Sequence, residues 1–456
     1  MSRRYFGTDG IRGVANVKLT PELAFRLGQG AGRTLENKRV VIGRDTRRSG
    51  PMLGAALAAG FCSVGVDVVA LGVVPTPTVA QVARRCGYGL GAVISASHNP
   101  APDNGIKLIG PDGGKVPDAQ ELEIERLMDE ALESRPQGAE IGLLTSDRAD
   151  VARYVDFLLG LVPEGLSGMK IAVDAANGAA YELAPLVLEK LGAEIVVVAA
   201  EPDGLNINLE CGATHPQRVQ ELTKSAGCHI GVAFDGDADR AVFSDEEGRL
   251  INGDRTIAIW SAYRQSRGEL DPATVVGTVM SNGGFGAWLE GRGITLERAP
   301  VGDKYVSERI RATGARIGGE QSGHIIFPAL GPTGDGLATA LELFRTIALS
   351  GRTASSWYDE FENWPQVLIN VTVRERDGWD AQPNVVRALQ EAAERLGQRG
   401  RVNVRPSGTQ PMIRVMVEAD GYDLRDEVAG LVLSAMETDL DAKVYSRVDL
   451  THALGD

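Results

Sequence analysis

Three aspartates at alternate positions carry the strongest chemical signal in this chain of 456 residues. In CHIGVAFDGDADRAVFSD an apolar run, read as a strand, ends in Asp235, Asp237 and Asp239, with Arg240 directly after them. Carboxylates this close repel one another unless a cation neutralises them, and hard oxygen ligands in a tight turn suit Mg²⁺. An EF-hand is excluded: the loop position that needs glycine for its sharp turn is Arg240, and the flanks read as strands. A solvated acidic turn is the alternative for this stretch alone.

A second strand runs into a turn in VISASHNP, which presents Ser97 and His98. No G-x-S-x-G elbow surrounds the serine, and a histidine next in sequence is poorly placed to act as its base, so a serine hydrolase is disfavoured. A phosphorylated Ser97 would carry a charge of about −1.5 to −2 and acceptor oxygens suited to a Mg²⁺ held by the aspartates. The alternative is an ordinary turn serine before Asn99-Pro100. His98 joins the catalytic candidates at this turn.

Basic residues stand in places that solubility does not require. FGTDGIRG puts Arg12 among glycines, and DNGIKLIG puts Lys107 inside an apolar strand, a position usually spared an ammonium group. Beside a phosphoserine and a metal they would supply charge clamps and a proton donor or acceptor. GGEQSGHIIF offers Glu320, Ser322 and His324 to a polar ligand. VRPSGTQPMIRV offers Arg405, Ser407, Gly408 and Thr409, whose guanidinium, hydroxyls and backbone N–H groups can cradle a phosphate. It is not a P-loop, since G-x-x-x-x-G-K-[ST] is absent.

The elements that must hold these groups are legible in outline. With 56 glycines and 5% aromatic residues, the composition suits an α/β protein with many tight strand-to-helix turns. Three strand–helix–strand units repeat, beginning RVVIGRDTRRSG, KIAVDAANGAA and TVVGTVMSNGG. Ligands belong at the carboxyl ends of such strands. The spacing predicts α/β domains over 1–150, 151–250 and 251–365, bearing in turn the serine, aspartate and Glu320 loops. Beyond them, alternating VLINVTVR, helical PNVVRALQEAAERLG, two further strands and a final helix predict a smaller α+β domain over 366–456.

Lys and Arg number 47 against 61 Asp and Glu, and the net charge of −14 disfavours nucleic acid and anionic membrane as partners. No segment reaches the length of apolar residues that spans a membrane, and no apolar run follows the basic N-terminus, so a cytoplasmic protein is expected. Cys62, Cys86, Cys211 and Cys228 form no C-x-x-C pair and are expected neither to bind metal nor to form disulfides.

Together the motifs resemble those of the α-D-phosphohexomutases over essentially the whole chain: FGTDGIRG, GRDTRRSG, ISASHNP, DNGIK, DGLNIN, FDGDADR, GTVMSN, VGDKYV, GEQSGHI, TGDG and RPSGTQPMIRVMVE, in that order. The resemblance implies four domains around a central cleft, three similar α/β domains with mixed sheets followed by a smaller α+β domain. It implies interconversion of glucosamine 6-phosphate and glucosamine 1-phosphate, a step toward UDP-N-acetylglucosamine. The cofactor would be Mg²⁺, with glucosamine 1,6-bisphosphate as intermediate and candidate activator. Ser97 would carry the phosphoryl group and join Asp235, Asp237 and Asp239 around the metal, while Arg12, Lys107 and Arg240 surround the transferring group. Lys107 is the first choice for proton transfer and His324 the second. Glu320 and Ser322 would hold sugar hydroxyls, and Arg405, Ser407, Gly408 and Thr409 the non-reacting phosphate.

The implied partners are a hexosamine phosphate and an activating kinase or bisphosphate donor, acting on a monomer or homodimer. The rivals are a phosphomannomutase or phosphoglucomutase with the same serine and metal loop, and a noncatalytic, magnesium-dependent sugar-phosphate binding protein. Two positions depart from the family pattern. Ala238 stands where many relatives have Gly, expected to matter little if its φ is negative. Gln410 stands where Glu is usual, removing a negative charge beside a phosphate site.

Overall fold

In the computed structural model, residues 4–7, 9–375, 377–407 and 412–452 are described. The strands are β1 (Ile11–Val14), β2 (Arg39–Arg44), β3 (Asp67–Val73), β4 (Leu90–Ile94), β5 (Asp103–Ile109), β6 (Leu144–Ser146), β7 (Lys170–Asp174), β8 (Glu194–Val198), β9 (Ile230–Phe234) and β10 (Ala241–Asp245). They continue with β11 (Leu250–Ile251), β12 (Thr274–Thr278), β13 (Thr295–Ala299), β14 (Gly318–Gly319), β15 (Ile325–Ile326), β16 (Gln366–Thr372), β17 (Gly400–Pro406), β18 (Met412–Ala419) and β19 (Lys443–Asp449).

The first sheet has the order β1-β5-β4-β2-β3-β6 and the second β11-β10-β9-β7-β8. Both are mixed: β2 runs parallel to β3 and β4, whereas β5 is antiparallel to β4 and β1; β9 is parallel to β7 and antiparallel to β10. Burial on both faces explains the unbroken apolar texture of β4 (LGAVI) and β9 (IGVAF), where every residue is buried. In the third sheet β14 is parallel to β12 and antiparallel to β15. The last sheet, β17-β18-β16-β19, is antiparallel throughout. The architecture is therefore four-domain α/β, three similar mixed-sheet domains and one smaller domain.

The chain divides into two compact units, Met1–Val279 with Glu297–Tyr358, and Met280–Leu296 with Asp359–Asp456. The helix Gly283–Glu290, read in sequence with the third repeat, falls in the second unit. Its attachment is both aromatic and polar: Phe285 and Trp288 pack on Phe361 with ring centroids 6.1 and 5.4 Å apart, the Gly283 N–H donates to the buried Glu418 carboxylate at 3.0 Å, and Arg401 donates to Ser281 O at 2.7 Å and to Glu418 at 2.7 Å. The second unit has its own core of aliphatic residues from β16, β18 and the helices Pro383–Leu396 and Tyr422–Leu440. Its last strand, β19, is absent from the sequence reading, which ended in a helix. KVYSRVD is almost wholly exposed at a sheet edge, so burial leaves no apolar run to recognise. Among the described residues no helix is long and apolar enough to cross a membrane.

Candidate active site

The acidic loop and the serine loop meet in the first unit. Phe234 pairs with Ala241, so residues 235–240 close a hairpin between two fully buried strands. Asp235, Asp237 and Asp239 are all buried, and each offers an oxygen within 4.8 Å of the others. Ser97 leaves β4 through a turn, is 2% exposed, and donates its hydroxyl to Asp235 Oδ2 at 2.5 Å. Gly236 makes this approach feasible: a Cβ there would stand 2.5 Å from Ser97 O. Ser97 itself holds a φ of 52°.

The charges around this pair are partly compensated. Lys107, on β5, places Nζ 3.5 Å from Asp237, 3.4 Å from Asp239 and 3.3 Å from Asp9. Burial opposes its charge, but Asp237, Asp9 and Asp239 outweigh burial and hold the ammonium firmly protonated. Arg12 pairs with Asp9 and lies opposite Gly105 in the β1–β5 register, where a Cβ on Gly105 would press against its side chain at 3.0 Å. Burial and the repulsion of Asp239 and Asp237 push the Asp235 carboxyl well above its usual range. Asp239 goes the other way: burial raises it, but Lys107 and His324 pull it well below.

The donor set fits a small hard cation. Asp237 Oδ1 and Asp239 Oδ1 are buried without a hydrogen-bond partner, and the Asp235 carboxyl is driven toward protonation by burial and by Asp239 and Asp237. A divalent ion would remove both penalties. Thr76 steadies the middle ligand: its hydroxyl donates to Asp237 Oδ2 at 2.6 Å and its N–H to Asp237 O at 2.9 Å.

The two histidines differ. His98 Nδ1 lies 3.3 Å from Ser97 Oγ, but the serine proton is directed to Asp235, and burial with Arg240 and Arg12 lowers the imidazole to about 4. It is a neutral ring beside the serine. His324 is buried with Nδ1 3.6 Å from Asp239 Oδ1. Burial disfavours its charge, but Asp239 raises it to about 9, and the Gly334 N–H lies 3.2 Å from Nε2.

Ser97, His98, Lys107, Arg12, Arg240, His324 and the aspartates thus fall in one cluster. Glu320 and Ser322, both half-buried, lie in the same unit; Glu320 Oε1 accepts the Gly302 N–H at 2.8 Å. Arg405 and Ser407 belong to the second unit, Arg405 exposed near the end of β17 and Ser407 buried. Gly408, Thr409 and Gln410 lie outside the described residues. Ala238 corrects one expectation. Its φ is 55°, a left-handed conformation that costs an L-residue about 1–2 kcal/mol, because the hairpin must turn sharply between two ligands.

Sequence reading missed Asp9, Thr76, Asp45, Arg47 and Asn208. Asp9, Asp45, Arg47 and Asn208 lie within the quoted motifs and Thr76 lies outside them, but only the fold brings them to the cluster. Asp9 in FGTDGIRG carried the best signal, an acid three residues before a conspicuous arginine.

Four family models match the chain in order: Phosphoglucomutase/phosphomannomutase alpha/beta/alpha domain I over residues 3–135, domain II over 152–248, domain III over 252–364, and the C-terminal domain over 368–434. A solved phosphoglucomutase/phosphomannomutase family protein from Burkholderia thailandensis superposes with a TM-score of 0.79 at 26% identity, covering 97% of this chain and 99% of that one. An Aspergillus fumigatus N-acetylphosphoglucosamine mutase, solved with GlcNAc-6P and magnesium, shares the fold with a TM-score of 0.65 at 19% identity, covering 96% of each chain. The phosphoglucosamine mutase of Desulforamulus reducens is 47% identical over 94% of this chain and 99% of its own length, and that of Moorella thermoacetica 47% over 94% and 98%. The chain belongs to the α-D-phosphohexomutase family, on its phosphoglucosamine mutase branch.

Proposed function

We propose that the protein is a phosphoglucosamine mutase, an intramolecular phosphotransferase interconverting glucosamine 6-phosphate and glucosamine 1-phosphate. The observation that carries this is the Ser97 hydroxyl seated 2.5 Å from Asp235 in a buried triple-aspartate loop. The near-full-length similarity to phosphoglucosamine mutases supports the choice of sugar.

Phospho-Ser97 gives its phosphoryl group to the free hydroxyl of the sugar monophosphate: the Oγ–P bond breaks, a sugar O–P bond forms, and glucosamine 1,6-bisphosphate results. The bisphosphate reverses and returns its other phosphoryl group to Ser97. Asp235, Asp237, Asp239 and the seryl phosphate would hold Mg²⁺, which supplies neutralising charge to the phosphate oxygens. Arg12 and Arg240 offset charge on the transferring group. Lys107, protonated among carboxylates, gives a proton to the leaving Oγ and recovers one from the sugar hydroxyl, the net transfer being from hydroxyl to serine. Glu320 and Ser322 read sugar hydroxyls, and Arg405 with Ser407 binds the non-reacting phosphate.

The domains are taken to run over 1–150, 151–250, 251–365 and 366–456, in a cytoplasmic enzyme of UDP-N-acetylglucosamine biosynthesis. Intact mass of the purified enzyme, followed by a panel of hexose and hexosamine 6-phosphates, tests the reading. One phosphoryl group and highest turnover with glucosamine 6-phosphate are expected. Preference for mannose or glucose phosphate would move the protein to a sister activity, and binding without turnover would leave a sugar-phosphate binding protein.

A further inference from the structure

The serine loop is gripped by its backbone. Arg47, 0% exposed, spreads its guanidinium over three carbonyls: Nη2 donates to Ser97 O at 2.9 Å and Asn99 O at 2.7 Å, and Nη1 to Pro100 O at 2.5 Å. Its Nε donates to Asp45 Oδ2 at 2.9 Å, in a pair with no exposed side-chain surface. Asp45 Oδ2 accepts the Ser95 hydroxyl at 2.5 Å, and Ser95 Oγ in turn accepts the Ser97 N–H at 2.9 Å. From the second domain Asn208 Nδ2 reaches the same carbonyls, Ser97 O at 2.9 Å and Asn99 O at 3.2 Å. Ser97 is therefore fixed at its N–H and its C=O while its backbone stays left-handed.

We infer that Arg47 is a positioning residue for phosphoryl transfer: with Asp45 and Asn208 it holds the Ser97 peptide so that Oγ keeps its place on the acidic loop whether or not it carries the phosphoryl group. This rests on the reading of Ser97 as the phosphoryl carrier. The carrier's charge changes by about 2 in each half-reaction, so contacts to the phosphate cannot anchor the loop through the whole cycle. Contacts to carbonyl oxygens can, because they are blind to what Oγ bears. The guanidinium is also spent on the protein: its donors face carbonyls and Asp45, so its charge serves geometry and not substrate. A lysine keeps the charge but has no planar fork to span three carbonyls and a carboxylate. Displacing a reacting atom by about 1 Å can cost about 10²-fold in rate.

The test is Arg47→Lys, assayed by intact mass, thermal unfolding, and single-turnover transfer from phosphoenzyme to glucosamine 6-phosphate, beside steady-state KM. Transfer slowed about 10- to 100-fold, with KM within about twofold of wild type, is expected. A transfer rate within about threefold of wild type in the folded variant overturns the proposal, as does a loss expressed wholly in KM. If Arg47→Lys does not fold, Asn208→Ala, which removes two bonds to the same carbonyls and leaves the buried ion pair, decides: slowing of about tenfold supports the clamp and an unchanged rate overturns it. Wild-type enzyme that never carries phosphate on Ser97 overturns the carrier reading and this inference with it; phosphorylated wild type with unimpaired variants overturns this inference alone.

Discussion

Asp335 is a buried carboxylate whose ionisation should be measurable as stability. It caps the helix Gly336–Ser350, accepting the Ala338 N–H at 3.0 Å, and receives the Tyr154 hydroxyl at 3.0 and 3.1 Å from its two oxygens. Burial raises its pKa from 3.8 to about 6, only partly offset by the Ala338 N–H and Tyr154. Because the folded value is the higher one, the folded protein holds the proton more tightly than the unfolded chain. The favourable contribution is complete below pH 3.8 and is lost as pH rises through about 6. The full difference amounts to about 3 kcal/mol, of which about half is recovered on lowering the pH from 7.5 to 5.

Asp335→Asn removes the ionisation while keeping an oxygen for the cap and for Tyr154. It forfeits about 0.3–1 kcal/mol of charge–dipole attraction at the helix N-terminus. The net expectation is a variant more stable than wild type by about 2 kcal/mol at pH 7.5, with the gap shrinking toward pH 5. Thermal unfolding of both proteins from pH 5 to 8 measures it as a few degrees. Parallel pH profiles, or a variant that loses stability at pH 7.5, would refute the reasoning. Turnover should survive, because the flanking contacts are backbone ones: Gly334 N–H to His324 and Gly336 N–H to Ala238 O at 3.0 Å.

Ser97→Ala should abolish mutase turnover and leave unfolding nearly unchanged, since the loop is held by its backbone; mass analysis should find no phosphorylated protein. Asp237→Asn should raise the Mg²⁺ concentration needed for half-maximal activity by at least about tenfold, and an unaltered magnesium titration would restore the solvated-turn reading of the acidic loop. Arg405→Ala should weaken substrate binding by about 1.5–3 kcal/mol in both directions and release more free bisphosphate, read by steady-state kinetics with product quantification. Ala238→Gly should stabilise the protein by about 1 kcal/mol without altering turnover, measured by thermal unfolding.

The serine and aspartate loops were legible because each ends a fully apolar strand, so their polar residues stood out against β4 and β9. Lys107 was legible for the opposite reason, as an ammonium inside an apolar run. Arg47 was not, although GRDTRRSG was in view, because sequence cannot tell which of three nearby arginines turns inward; burial selects Arg47 and leaves Arg48 exposed. The left-handed Ala238 was hidden for a related reason. Its side chain is unremarkable, and only the pairing of Phe234 with Ala241 forces the hairpin that twists it. The edge strand β19 escaped because exposure erased its apolar face.

On the proposed mechanism, the charge count links the serine to the aspartates. Asp9, Asp235, Asp237 and Asp239 face Arg12, Lys107 and Arg240, so these seven side chains, when all are ionised, carry a net charge of about −1. A seryl phosphate alone would add about −2 to a cluster in which burial and the repulsion of Asp239 and Asp237 already raise the Asp235 pKa. A divalent cation added with it leaves the net charge where it began. The three basic residues are too few to neutralise the phosphate by themselves, and the four acids are too many for a site meant to bind an anion unaided. On the proposed mechanism that excess of acid is matched when the phosphoryl group and a cation are accommodated as a pair, with Ser97 Oγ beside Asp235 as their shared edge.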